Sequence, residues 1–114
     1  MSNQPEKVKV GTQVFDIVYR SRHDDGMLND NTFGYTLDTE NLIVIDASLA
    51  PSKQRTTLFH EIFHAVRMVY DTSVKPKKTD DFEAWEHYFI GVYEEGMLLV
   101  LRSNPEVLTY LLEE

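Results

Sequence analysis

Two histidines four residues apart, with a glutamate beside the first, stand in the segment LFHEIFHAV, Leu58 to Val66. On a helix, residues four apart share a face with their Cβ atoms ~5–6 Å apart, so His60 and His64 can aim two ring nitrogens at one point. Imidazole nitrogen binds zinc at ~2.0–2.1 Å, a reach this spacing permits. Glu61 is one residue on and points to the side. It is poorly placed to join the same coordination and well placed to take a proton from a water beside the metal. The pattern therefore implies Zn²⁺ as cofactor, His60 and His64 as ligands and Glu61 as catalytic base. The competing reading is two solvated histidines on a helix surface.

That chemistry needs a helix to carry it. With Leu58 at zero, Ile62, Val66 and Val69 fall within about 80° and form a core stripe, while His60 and His64 fall at about 200° and 240°. The histidines are thus set apart from the buried face. Pro51 or Ser52 opens this helix, since proline suits the first turn, and it runs to about Tyr70. A loop, Asp71 to Thr79, holds the one basic cluster, Lys75, Lys77 and Lys78 around Pro76. Asp80 then caps a second helix, with Glu83 at the capping-box position, ending near Arg102. Asn104-Pro105-Glu106 starts a third, short helix to Leu112.

A catalytic zinc site takes a third protein ligand and keeps one position open. The second helix is the place to seek it. With Phe82 at zero, Trp85, Phe89, Val92, Tyr93, Gly96 and Val100 cluster as a buried arc, and Glu86 falls inside it at about 40°. A carboxylate there is costly unless paired or bound to a cation. Glu86 is therefore the expected third ligand, with His87 the alternative and a salt bridge to Arg67 the plain structural reading. Gly96 in mid-helix suggests a close crossing with the His-bearing helix. Tyr35 and Tyr88 are candidate donors to the transition state. His87 and His23 are further donors, though His23 reads as a surface histidine in an Asp-rich loop.

The first half of the chain reads as strands: Lys7 to Val10, Gln13 to Arg20, a strand within Thr32–Asp38, and Leu42 to Asp46. Gly11-Thr12 and Thr39-Glu40-Asn41 are turns between them, and Ser21 to Asn31 is loop chemistry. Three or four strands and then three helices imply an α+β domain with a small, mainly antiparallel meander. Its 114 residues fit one domain, 1–114, with residues 1–6 as a flexible lead. Hydrophobic residues make up 42% of the chain, enough for a core. The chain holds no cysteine, which excludes disulfides and thiolate metal sites. The net charge of −8 argues against direct nucleic-acid binding, which relies on Lys and Arg. No signal peptide or membrane-length apolar run is visible, so a cytoplasmic protein is expected.

The run from IVIDASLAPSKQRTTLFHEIFHAV through VYEEGMLLVLRSNPEVLTYL resembles small phage-type metallopeptidase-like proteins related to the ImmA/IrrE group of zincins. The resembling features are Gly34-Tyr35, a strand ending in Asp46, the His60-Glu61-x-x-His64 helix, and a closing LRSNPEVLTYL. The resemblance implies a minimal zincin-like domain, zinc on the two histidines and a later acid, Glu61 as base, and action on transcriptional repressors. The E-A-N-x-F-A segment of longer relatives is absent. The expected activity is hydrolysis of a peptide bond in a peptide or protein, such as a phage or mobile-element repressor, in a phage or bacterial host cell. The strand Leu42 to Asp46 is a candidate edge for an extended substrate. One alternative is a non-catalytic zinc-containing interaction module. Another is a regulator that masks a basic, DNA-binding partner.

Overall fold

A computed structural model describes residues 3–71 and 75–114, so part of the loop expected at Asp71 to Thr79 lies outside the described residues. Four strands precede three helices: β1 Lys7–Val10, β2 Gln13–Arg20, β3 Gly34–Leu37, β4 Leu42–Asp46, α1 Pro51–Tyr70, α2 Phe82–Ser103 and α3 Pro105–Leu111. The class is α+β, as patterning implies. The sheet order is β1-β2-β4-β3. β1 pairs β2 and β3 pairs β4 antiparallel, but β2 and β4 run parallel, from Asp16 opposite Leu42 to Arg20 opposite Asp46. The sheet is therefore mixed rather than a meander. The long segment 21–33 carries the chain across the sheet, and the most apolar strand, β4, takes the interior place where both faces are covered.

Alternation divides β4 between two environments. Ile43 and Ile45 join the main core with Val8, Val10, Phe15, Ile17, Leu58, Ile62 and Val66. Val44 and Asp46 are fully buried too, outside that cluster. Asn41 turns β3 into β4 at φ 47°, a left-handed conformation that asparagine tolerates. Residues 4–6, within the lead expected to be flexible, make contacts with the fold. Gln4 bonds the Gln54 side chain, Pro5 is buried, and the Glu6 carbonyl accepts the Ile17 amide at 2.8 Å.

The helices differ from expectation at their ends. Asp81, not Asp80, caps α2, accepting the Ala84 amide at 3.0 Å. Asp80 instead accepts the Lys77 amide at 2.7 Å, and Glu83 falls one residue short of the capping-box position. The expected crossing is present: a Cβ on Gly96 would stand 2.6 Å from Val66 Cγ1 and 2.8 Å from Tyr70 Cδ2 of α1. Asn104 precedes α3 but makes no side-chain cap. Its amide accepts from Lys9 N and donates to Lys9 O, each at 2.8 Å, and also donates to Val100 O.

The arc expected on α2 is buried only in part. Val92, Gly96 and Val100 are buried, whereas Phe82 is 78% exposed and Phe89 and Glu86 are exposed. The wheel phase agrees at Val92, Gly96 and Val100, but the described residues leave Phe82 and Glu86 uncovered. Tyr88 already reaches Asp71, the residue after α1 ends, at 2.8 Å, so the turns carrying Phe82 and Glu86 overhang α1.

Candidate metal centre

Helix α1 presents His60 and His64 on its exposed side, their Nε2 atoms 3.2 Å apart. Two ring nitrogens facing each other this closely need a shared proton or a cation between them. Two bonds of ~2.05 Å to one ion would subtend about 100° across that gap, near the tetrahedral angle zinc prefers. The histidine pair therefore fits a zinc-like ion. His60, Glu61 and His64 together form the one cluster of potential metal ligands among the described residues, with ligand atoms within 4.8 Å of one another.

Glu61 is 4% exposed, unlike the histidines. At about 300° from Leu58 it sits only about 60° off the core stripe, which carries it under the sheet edge. The Thr36 hydroxyl lies 2.8 Å from Glu61 Oε1 and 3.2 Å from the Glu61 carbonyl oxygen, both acceptors for its one proton. Glu61 Oε2 faces His60 Nε2 at 3.8 Å. This approach of strand to helix depends on Gly34. A Cβ there would lie 2.7 Å from the Val44 carbonyl oxygen and 2.9 Å from Thr57 Cγ2.

The three residues line a cleft of about 660 Å³ between α1 and the segment 31–36. Its strand wall is β3, the end strand of the sheet. β4, the edge expected for a substrate, is interior between β2 and β3. Lys53 and Phe33 also line the cleft, with the ammonium 6.0 Å from the ring centroid.

Of the remaining expected site residues, Tyr35 also lines the cleft, and Glu86, His87, Tyr88 and His23 do not. Glu86, the expected third ligand, is exposed on α2 and lies outside the ligand cluster. His87 is exposed and pairs with Glu83 at 3.6 Å. Arg67, an arginine that could pair with Glu86, stands 3.9 Å from Asp71. Tyr35 alternates away from Thr36, and its hydroxyl is hydrogen-bonded to Asp25. The Tyr88 hydroxyl donates to Asp71. His23 is exposed in its loop.

Thr36 and Gly34 are the residues that sequence reasoning missed as supports of Glu61. Placing Tyr35 and Leu37 on one face already left them together on the other.

Two ion pairs of Arg22, one to the buried Asp46 and one to the exposed Asp30, fasten the loop that leads into the cleft wall. Arg22 Nε reaches Asp46 Oδ2 at 2.7 Å, and its Nη1 reaches Asp30 at 2.6 Å. Burial alone would raise the Asp46 carboxyl, but bonds from Ser48 and Arg22 outweigh it and hold it below the usual range. The Tyr35 hydroxyl, followed by the Met27 amide, likewise holds the Asp25 carboxyl low. Arg22, paired with Asp46, and Asp25, bonded to Tyr35, thus anchor the first part of segment 21–33.

Comparison with family models, curated proteins and solved structures finds no match to this chain. Among the described residues no helix is long and apolar enough to cross a membrane.

Proposed function

We propose that the protein is a zinc-type metal-dependent hydrolase of peptide bonds, with His60 and His64 holding the ion and Glu61 as base. The observation that carries this reading is the pair of Nε2 atoms 3.2 Å apart beside a buried carboxylate, at the wall of a cleft. A bound divalent ion supplies positive charge that acidifies water and polarises a carbonyl.

The chain's own residues supply the rest. Glu61 Oε1 is engaged by Thr36, which leaves Oε2, on the His60 side, to accept the proton of the attacking water. That proton passes to the departing amine nitrogen as the C–N bond breaks. β3 offers backbone groups along the cleft, with which an extended peptide can pair as an added strand. The resemblance of the motif helix adds a regulatory protein, such as a repressor, as substrate, and the cytoplasm of a phage-bearing or bacterial cell as its place.

The test is metal analysis beside cleavage of a peptide library. Glu61→Gln should retain the ion and lose at least about 10²-fold in rate. Cleavage at the wild-type rate by that variant removes Glu61 from the role. Failure of wild type to bind Zn²⁺ or Co²⁺ removes the metal.

A second reading has its own observation. Only two imidazoles and Glu61 gather among the described residues, whereas catalytic zinc sites carry three protein ligands. A non-catalytic metal-containing interaction module fits that count if a partner protein completes the coordination. A metal that raises Tm and binds, without cleavage of any library member, selects it.

A further inference from the structure

Helix α1 has a second flank. On the side away from the cleft, Phe59 and Phe63 line an apolar groove with Ile90, Met97 and Leu101 of α2 and Leu112 beyond α3. It measures about 930 Å³, larger than the cleft. Ile90 is 51% exposed, Phe59 41% and Leu112 72%, so the surface is apolar and open to water. A contiguous patch of this kind on a folded chain marks a surface made to be covered. From Ile90 to Leu101 α2 rises ~16 Å, about three turns, the length over which a docked helix presents anchors at i, i+3 or i+4, and i+7.

Charge selects the occupant. Glu94 and Glu114 stand along the groove. The one basic residue in its lining, Arg55, is drawn over the Tyr110 ring at 5.8 Å. A second copy would bring the same acids and the same net charge of −8, so self-association works against repulsion. We infer that this groove docks a basic amphipathic helix of a partner protein, its apolar stripe between α1 and α2 and its Lys or Arg residues along the acidic margin. The docking site is separate from the cleft and needs neither metal nor Glu61.

The test uses the full chain, metal-free, at physiological salt, with a labelled synthetic helix of about 18 residues, Leu at i, i+3, i+4 and i+7 and Lys on the flanks. Fluorescence anisotropy should report binding, and an otherwise identical peptide with Glu flanks should bind at least about tenfold more weakly. Ile90→Asp should weaken binding at least about tenfold and Glu94→Lys about fivefold. Both positions are exposed, and circular dichroism checks that both variants fold. Glu40→Lys, in the β3–β4 turn outside the groove, should leave affinity unchanged. Absence of binding, equal affinity for the two peptides, or full affinity in Ile90→Asp overturns the proposal. So does a concentration-dependent wild-type dimer that Ile90→Asp dissolves, which would assign the groove to a second copy.

Discussion

The two flanks of α1 differ in how their side chains are met. On the cleft flank Glu61 has Thr36, His60 has His64, and the strand above closes onto the helix at Gly34. On the groove flank Phe59 packs edge-on to Phe63, and Phe63 to Tyr93, at 4.9 and 5.3 Å between ring centroids. Beyond those rings Ile90 and Leu112 meet only a broad opening. One helix thus carries a polar constellation fixed by its own chain and an apolar one that the described residues leave uncovered. Under the two proposals, rigidity suits the first and adaptability the second, because a reacting geometry must be held before substrate arrives, whereas a docking surface can be completed by its partner.

The sharpest way to break the contrast is at the strand–helix contact. Gly34→Ala sets a Cβ against a backbone oxygen that cannot rotate away, and should cost about 3 kcal/mol in urea unfolding. Gly96→Ala meets the Val66 side chain, which can shift, and should cost about 1–2 kcal/mol. Equal costs would mean that the cleft flank is no tighter than the helix crossing.

Thr36→Val comes next. It removes the donor to a buried carboxylate and should destabilise by about 1–2 kcal/mol, measured by the same unfolding.

Asp46→Asn keeps an acceptor for Ser48 but sets an amide against Arg22, and should cost on the order of 1 kcal/mol at pH 7. The sign of its pH dependence follows from a depressed folded pKa. The ionised carboxylate stabilises above the ordinary value of 3.8, and that contribution is lost as pH falls through the lower folded value. The Tm gap between Asp46→Asn and wild type should therefore close in strong acid. A gap that widens there would contradict the ion-pair account.

The smallest effect belongs to the groove. Ile90→Asp should change stability by no more than about 0.5 kcal/mol, because its side chain is already in water. A loss of several kcal/mol would show that the groove is core rather than surface.

What was legible in the sequence followed periodicity. Leu58, Ile62 and Val66 are buried and His60 and His64 exposed, as the helix phase requires. Strand and helix positions came from the same local signals. Glu86, expected inside the buried arc, is exposed, because a wheel gives the direction of a side chain but not whether another element stands there. The phase of α2 holds to its first turn, yet α1 ends before it. The parallel pairing of β2 and β4 was illegible for a related reason: alternation specifies faces, not neighbours. Thr36 and Gly34 could be placed on one face of a strand, but their contact with Glu61 depends on how sheet and helix meet, which no local pattern records.

Asn104 joins positions 95 residues apart, its amide occupying the outward N–H and C=O of Lys9 as a neighbouring strand would. A chain cut before Asn104 would lose more than a short helix. It would uncover backbone hydrogen-bonding groups on the outer margin of β1, and such exposed margins recruit strands from other molecules. Truncation at this point is thus expected to be a solubility defect before it is a defect of activity.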